Sequence, residues 1–539
     1  MSEENQPALV SVRLSVMMFL QFFIWGAWYV TGPLYLGPLG FEPADFANMY
    51  SVGPLSAMIT PLLVGMVADR FFAVERVLGV MHLGAGAAML GAIGLMGAED
   101  PNPDLINLMF LVHMLFYFPT LALTNTLAMR NMTDQEKQFP LIRVFGTVGW
   151  IIAGLTISWF VWDTSKSMFY LAAGAALAMG FYSFTLPHTP PVPGQERPTI
   201  GQLFGLDAMA MLKRPAFAVF MVSSILICIP LAFYYQIAAK VVQQTGLVPG
   251  RTMSYGQMSE ILFMLLMPLF FKRLGVKWML FVGMAAWVAR YALFAVGAPD
   301  QVVWMVLVGV QLHGICYDFF FVTGQIYTDK AAPKAIRGQA QGMLVLFTLG
   351  LGMLIGARVA GMVEGAYTPK KVSWLQEESK VIGDHASQLQ AKLDSQAPAK
   401  PFHEQVEPKV AEVDKAVFQA QEALGEAKDE GADQAKIDAL KQEVAKALDR
   451  KIEILQAQSV AYGAQDEQTR ALRSQTEHLK AYANHKAIAA LRLVDWRGIW
   501  MWPAIGAAVV MIFFALLFKD RRVSAEPITE ERVAEAAAK

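Results

Sequence analysis

Long apolar runs separated by short polar turns fill most of this chain, and that pattern sets its class before any motif is read. A helix needs about 20 mainly apolar residues to cross the hydrocarbon core of a bilayer. Runs of that kind fall near residues 14–36, 46–68, 75–97, 105–128, 140–162, 167–187, 215–239, 252–271, 278–297, 301–325, 338–362 and 496–518. The expected protein is all-α and membrane-embedded, with twelve transmembrane helices. A polar break at 188–212, opened by Pro187, His188, Pro190, Pro191 and Pro193, divides the runs six and six. That division points to two structural repeats: an N-terminal six-helix half over 1–187, a linker over 188–214, and helices 7–11 over 215–365.

Residues 366–494 break the pattern. They are rich in Ala, Gln, Glu, Lys and Asp, and their apolar positions recur at heptad-like spacing. Val410, Val413, Val417 and Leu424 form one stripe; Ile437, Leu440, Val444, Leu448, Ile452 and Leu455 form another. Gly431 and Gly463 mark expected breaks. The segment reads as a helical hairpin or small bundle inserted between helices 11 and 12, and a helix of ~25 residues would project ~38 Å. It is either a solvated insertion tolerated at a loop or an element for oligomerisation or partner docking. Helix 12 then covers 495–519 and a tail 520–539.

Composition agrees with lipid as the solvent. Only 17% of the 539 residues are charged, against about 25% in soluble domains, and the mean hydropathy is +0.39. A net charge of −1 offers no basic field for nucleic acid. Cys228 and Cys316 lie in apolar runs, which argues against a disulfide framework. The first apolar stretch continues past Ala27 to Leu36, too long for the core of a cleavable signal.

Basic residues in short loops mark the cytoplasmic face. Alternate loops carry Arg70 and Arg76, Arg130 and Lys137, Arg197, Lys213 and Arg214, then Lys272, Arg273 and Lys277, Lys330, Lys334 and Arg337, and finally Lys519, Arg521 and Arg522. The opposite loops show little beyond Lys166, Lys240 and Arg251, together with Glu42, Asp45, Glu99, Asp100, Asp104 and Asp300. Both termini are expected in the cytoplasm and residues 366–494 outside it, in a bacterial cytoplasmic membrane.

Ionisable residues within spans are expensive and therefore functional candidates. Arg143, Thr147 and Trp150 recur at i, i+4 and i+7 on one face of the fifth span, with Gly146 and Gly149 allowing a neighbouring helix to approach closely. Span 8 holds Gln257 and Glu260 at i, i+3; span 9 holds Arg290; span 10 holds His313, Tyr317 and Asp318. Glu260 and Asp318 are the two carboxyls expected deep in spans. No phosphate-binding Gly loop, metal-ligand cluster or nucleophile with a base is evident, so the chain does not read as an enzyme and no cofactor is expected. The loop Gly65-Met66-Val67-Ala68-Asp69-Arg70 resembles the G-x-x-x-D-R-x-G pattern of major facilitator transporters, and Lys272-Arg273-Leu274-Gly275 a degenerate second copy.

A narrower resemblance rests on several motifs in order. Phe19-Leu20-Gln21-Phe22-Phe23-Ile24-Trp25-Gly26-Ala27-Trp28 and Arg143-Val144-Phe145-Gly146-Thr147-Val148-Gly149 resemble signatures of the nucleoside:proton symporter family, within the major facilitator superfamily. So do Gln257-Met258-Ser259-Glu260, the run from Ala286-Trp287 through Arg290 to Phe294, Asp318-Phe319-Phe320, Leu186-Pro187-His188-Thr189-Pro190 and Gly205-Leu206-Asp207-Ala208. The resemblance covers about 1–365 and 495–520. It implies a major facilitator fold and proton-driven import of nucleosides. Arg143, Thr147, Gln257, Glu260 and Asp318 match polar positions around that family's central site, and Trp150 and Tyr317 its aromatic positions. The chain departs from the pattern at Leu231 and Tyr234 in span 7, with Gln236 following, and at His313. The expected partners are a nucleoside, a proton and the bilayer.

Other readings remain at this point. The chain could carry another polar solute, such as a sugar or nucleobase, or be a membrane scaffold displaying the insertion, though a scaffold has no use for charges held in lipid. Arg143 and Asp318 could form a purely structural ion pair, Arg290 and His313 could be structural, and Trp25 and Trp28 could serve packing. A buried carboxyl switches its charge with its surroundings, which makes Asp318 the first candidate for proton coupling and Glu260 the second.

The topology makes a direct prediction. Single cysteines at Ser395 and Ser524, probed with an impermeant maleimide in intact spheroplasts, should react at 395 and stay protected at 524. Reaction at 524 but not at 395 would overturn the orientation.

Overall fold

A computed structural model describes residues 6–132, 135–191, 206–333, 336–395, 402–429 and 431–519. Among them secondary structure is entirely helical. The principal helices are α1 Gln6–Gly26, α2 Gly32–Leu36, α3 Pro43–Arg70, α4 Val74–Met96, α5 Pro103–Arg130, α6 Gln135–Trp159, α7 Ser167–Ser183, α8 Pro215–Gln244 and α9 Pro249–Gly297. They continue as α10 Val303–Ala331 and α11 Gln339–Tyr367, then α12 Lys371–Ser395, α13 Phe402–Asp429, α14 Gln434–Leu491 and α15 Trp496–Leu517. Nine helices among the described residues are long and apolar enough to cross a membrane, and α7 is a shorter apolar helix.

Local sequence explains where these helices start. Asn102 caps α5 by accepting from the Asp104 and Leu105 amides, Asp495 caps α15 through Gly498, and proline opens α5, α8 and α9 at positions where its missing N–H costs nothing. Two apolar runs differ from expectation. The first is broken after Gly26 and resumes at Gly32-Pro33 as the short α2. The eighth and ninth share the 49-residue α9, interrupted only at Gly275, whose φ of 64° breaks the helical path. The expected loop at Lys272-Arg273 is therefore helical up to that glycine. The helix α3 runs through Arg70, but the side chains of the Gly65–Arg70 motif lie outside those described.

The membrane part has two buried cores. One is built mainly from residues between Leu14 and Leu186 and the other mainly from residues between Ala208 and Phe518. Trp150 and Tyr235 pack against both. We call the end of the bundle that carries Glu42, Asp45, Asp163 and Asp300 the acidic end, and the opposite one the basic end.

At the acidic end the halves are bonded to each other. Arg358 on α11 donates to Asn48 on α3 at 2.6 Å, and a Cβ on Gly361 would lie 2.8 Å from the Pro43 carbonyl. The Asp163 carboxylate, between α6 and α7, accepts from the Gly250 amide at 2.6 Å. Burial pushes the Asp163 carboxyl above the usual carboxylate range, against the pull of Gly250, Ser158 and Arg251.

Glu378–Lys486 forms a second compact unit. The 58-residue α14 is its spine, about 87 Å long at 1.5 Å per residue. The helix α12 lies antiparallel to its later part, with Ser379 donating to the Ala483 carbonyl at 2.7 Å and Lys480 to Gln390 at 2.9 Å. The helix α13 lies antiparallel to its earlier part, through Lys451–Asp414 and Lys409–Gln458. Gly431, at φ 69°, makes the turn between α13 and α14. Gly463 does not break α14 as expected; one glycine in a long helix costs only about 1 kcal/mol relative to Ala. Residues flanking the unit belong to the membrane core, where Val372, Ala490 and Leu491 are buried.

The ends of the second unit meet in a Lys486–Glu378 ion pair of 2.9 Å. Its excision therefore leaves a gap that a short linker can close. Replacement of 378–486 by a Gly/Ser linker should leave the membrane part folded and transport measurable; a monodisperse, inserted deletion with no transport would contradict this independence.

Candidate functional site

The N-terminal side of the site is set by how closely α6 approaches α1. A Cβ on Gly149 would collide with the Phe19 carbonyl, and a Cβ on Gly26 would sit 3.0 Å from the Trp150 Cα. Only glycine permits that approach. It carries the Arg143 guanidinium over the Phe22 ring, 4.1 Å from its centroid. Gly146 is needed for the same reason, because its Cβ would lie 2.6 Å from both Arg143 Nη1 and Phe22 Cδ2. Thr147 is half-buried one turn on. Trp150 meets Trp25 edge to face at 5.4 Å, and Trp25 in turn contacts Tyr29, Tyr117 and Phe118. Trp28 is wholly buried against Phe110 and belongs to the core.

The C-terminal side comes from α8, α9 and α10. Tyr234 is fully buried, stacked on His313 at 5.3 Å, with the Arg290 guanidinium 3.7 Å over its ring. Arg290 also donates to the Gly309 and Val310 carbonyls, so it braces α9 against α10. The His313 Nε2 lies 3.8 Å from Glu260 Oε2, and its ring is tilted against Tyr317 at 5.8 Å. Gln257 is buried. Among the described residues, Gln257 Oε1, His313 Nδ1 and both oxygens of Asp318 are buried without a hydrogen-bond partner.

Asp318 opens a wide turn that sequence periodicity did not anticipate. Over Asp318–Val322 the helix is of π type, and the Thr323 amide bonds back five residues to the Asp318 carbonyl. A second such turn covers Leu346–Gly352 in α11. One extra residue per turn re-aims the side chains that follow, and turns of this kind are frequent at functional sites.

Charge links the two sides. Arg143 interacts electrostatically with Glu260, Tyr317 and Tyr117, and Asp318 interacts with Glu260. The expected pairing of Arg143 with Asp318 is not formed. The carboxylate facing Arg143 is Glu260, and Asp318 stands behind it. The arrangement thus brings a planar cation, a carboxylate, a phenol and a tryptophan edge together between the halves, with two orphaned polar groups alongside. A flat ring with polar edges suits such a lining.

The sequence reading missed a third buried carboxyl. Glu364 accepts from Lys240 at 2.6 Å and from Gln236 at 3.1 Å, and all three are buried. The Lys240 ammonium also lies 3.8 Å over the Phe46 ring of the other half. Lys240 was read as a loop residue, whereas α8 continues to Gln244; the i, i+4 spacing of Gln236 and Lys240 was the available signal.

Known proteins were compared with the chain. A sequence family described as nucleoside H+ symporter matches residues 9–377. The putative nucleoside transporter YegT of Escherichia coli (strain K12) is 38% identical over 363 residues, covering 66% of this chain and 84% of that protein. The xanthosine permease of the same organism is 31% identical over 370 residues, covering 66% and 87%. In structure, the chain is similar to the nucleoside transporter NupG, with a TM-score of 0.60, 29% identity, and 69% and 96% of the two chains covered.

Proposed function

Because the chain belongs to the nucleoside H+ symporter family and is a membrane transporter rather than an enzyme, we propose that its nucleoside site is the space between the halves lined by Arg143, Thr147, Trp150, Tyr234, Gln257, Glu260, His313 and Tyr317. The observation that carries this reading is the confrontation of Arg143 with Glu260 and Tyr317 across the two halves. A nucleoside pairs a flat base with a hydroxyl-rich sugar. The Trp150 edge, the Tyr317 ring and the His313–Tyr234 stack supply apolar faces. Arg143, Gln257 and Glu260 supply hydrogen-bonding groups at the base or sugar edges. Tyr234 and His313 set the preference among nucleosides, since they lie where the chain departs from its family's pattern.

The membrane part is read as twelve spans: α1 with α2 as the first, α9 divided at Gly275 into two, and α15 the last. The basic end faces the cytoplasm and the acidic end the outside, with both termini cytoplasmic. Residues 366–494 then lie outside the cytoplasm. Transport proceeds by alternating access, each half moving about the central site.

Proton coupling is assigned to Asp318, with Glu260 as its partner. Asp318 has both oxygens buried and unpaired, so taking up or releasing a proton changes its energy more than that of a hydrated carboxyl. Its field reaches Glu260, and Glu260 in turn faces Arg143. Protonation at Asp318 therefore alters how firmly Glu260 holds Arg143, and through it the substrate. One proton moved down 100 mV is worth about 2.3 kcal/mol, enough for roughly 50-fold accumulation.

The test is uptake of radiolabelled uridine and adenosine into proteoliposomes, with and without an inward proton gradient. Wild type should concentrate nucleoside only with the gradient; no saturable uptake of either would overturn the reading. Asp318→Asn should lose concentrative uptake while keeping counterflow exchange, and undiminished accumulation would move the coupling role to Glu260. Arg143→Lys should lose at least about tenfold in transport while melting like wild type, because an ammonium cannot stack on Phe22 and present a planar fork at once. Unchanged affinity in that variant would remove the bidentate role.

A further inference from the structure

The N-terminus of α9 has no cap from its own chain segment: Val248 occupies the cap position without a side-chain hydrogen bond, and Pro249 follows. Its free amides are met from the other half. The Gly250 N–H donates to Asp163 Oδ1 at 2.6 Å, and the Arg251 N–H donates to Ser158 Oγ at 2.7 Å. Ser158 itself donates to the same Asp163 oxygen at 3.0 Å, so the two acceptors are tied together. A negative side chain there also meets the positive end of the helix dipole. Asp163 is 7% exposed.

The backbone that presents Asp163 is strained. α6 ends with the Trp162 amide bonded to Ile157 and the Val161 amide to Ser158. This is a C-terminal turn whose left-handed position normally takes glycine. Here it holds Val161, at φ 57°, a costly choice for a β-branched residue. The helices also touch backbone to backbone: a Cβ on Gly250 would lie 2.7 Å from the Gly154 carbonyl and 2.7 Å from Ser158 Oγ.

We propose that Asp163 and Ser158, capping α9 from the opposite half, are the latch that holds the acidic end closed, and that this cap is broken each time the central site opens to that side. The proposal rests on the alternating-access reading above. The latch suits a gate because both partners regain water when they part: Asp163 becomes a hydrated carboxylate and the α9 amides become solvated. Closure is thus favoured by a cap-sized increment, small enough to be reversed by substrate and proton.

The test is the distance between spin labels at Thr164 and Asp300, exposed at the acidic end of the two halves, with Cys228 and Cys316 replaced by Ala. Wild type should populate mainly the short distance. Asp163→Ala should raise the ratio of long to short roughly 5-fold, the size expected for loss of an N-cap. Asp163→Asn should stay near wild type, because its amide oxygen still accepts from Gly250. Gly250→Ala, which wedges the contact and leaves Asp163 intact, should shift the ratio in the same direction and carries the test if Asp163→Ala fails to fold. Wild-type distance distributions in both Asp163→Ala and Gly250→Ala would overturn the latch. The readout needs no substrate, so a shift in a protein that fails to take up nucleoside would uphold the latch and sink the nucleoside reading separately.

Discussion

A guanidinium cannot shed its proton, so once Arg143 stands inside a lipid-solvated bundle the surroundings must meet its charge. The rest of the site follows from that necessity. Phe22 offers a ring face at 4.1 Å, and Glu260 and Tyr317 offer negative and polar groups from the other half. None of these reaches Arg143 unless α6 lies almost against α1, which Gly146 and Gly149 permit. The glycines and the arginine are therefore one device. The small residues create the approach, and the approach sets where the cation points.

The same reasoning separates the two carboxyls of the central site. Glu260 is only partly buried, with 14% of its side chain exposed, and has His313 beside it and Arg143 across from it. Asp318 has no exposed surface and no hydrogen-bond donor among the described residues. A group with partners on several sides is fitted to hold something; a group with none is fitted to change state. The π turn that begins at Asp318 keeps it apart from both Arg143 and Tyr317 by altering the helical phase after it.

Much of this was legible in the sequence because lipid imposes a strict pattern. Apolar runs of about 20 residues, rare internal charges and helix-packing glycines all leave marks that survive without coordinates. Arg143, Glu260 and Asp318 stood out for that reason. What escaped was phase and pairing. A π turn leaves no compositional trace, so the expected Arg143–Asp318 pair was drawn on the wrong carboxyl. Glu364 was overlooked because it falls two residues beyond the expected end of its run, and Lys240 because a charged residue near a run's end reads as loop. Helix length set by tertiary contacts, as in α8, is invisible to a hydropathy window. In the helical segment 366–494, Gly463 looked like a break because glycine is a poor helix former, yet the helix formers around it outweigh a single unfavourable position.

Contacts within a half and contacts between halves are built differently, and a transporter needs that difference. Lys240 and Glu364 form an ion pair inside one half, on α8 and α11, with Gln236 completing the acceptor set. Only the Phe46 ring reaches them from the other half. When the halves part, the ion pair can stay whole and the loss is one cation–π contact, on the order of 1–2 kcal/mol. The remaining cross-half contacts at the acidic end are similar in kind: one Arg358–Asn48 hydrogen bond, and a helix cap drawn from Asp163 and Ser158. Each is modest and can be replaced by water. Had a bare ion pair bridged the halves, separating it would leave two buried charges to rehydrate and tie the interface to one state. Two states that differ by only a few kcal/mol can be exchanged by a ligand or a proton. An interface assembled from small, separately breakable contacts keeps the difference in that range, while the strong buried pairing stays inside a half that moves as one body.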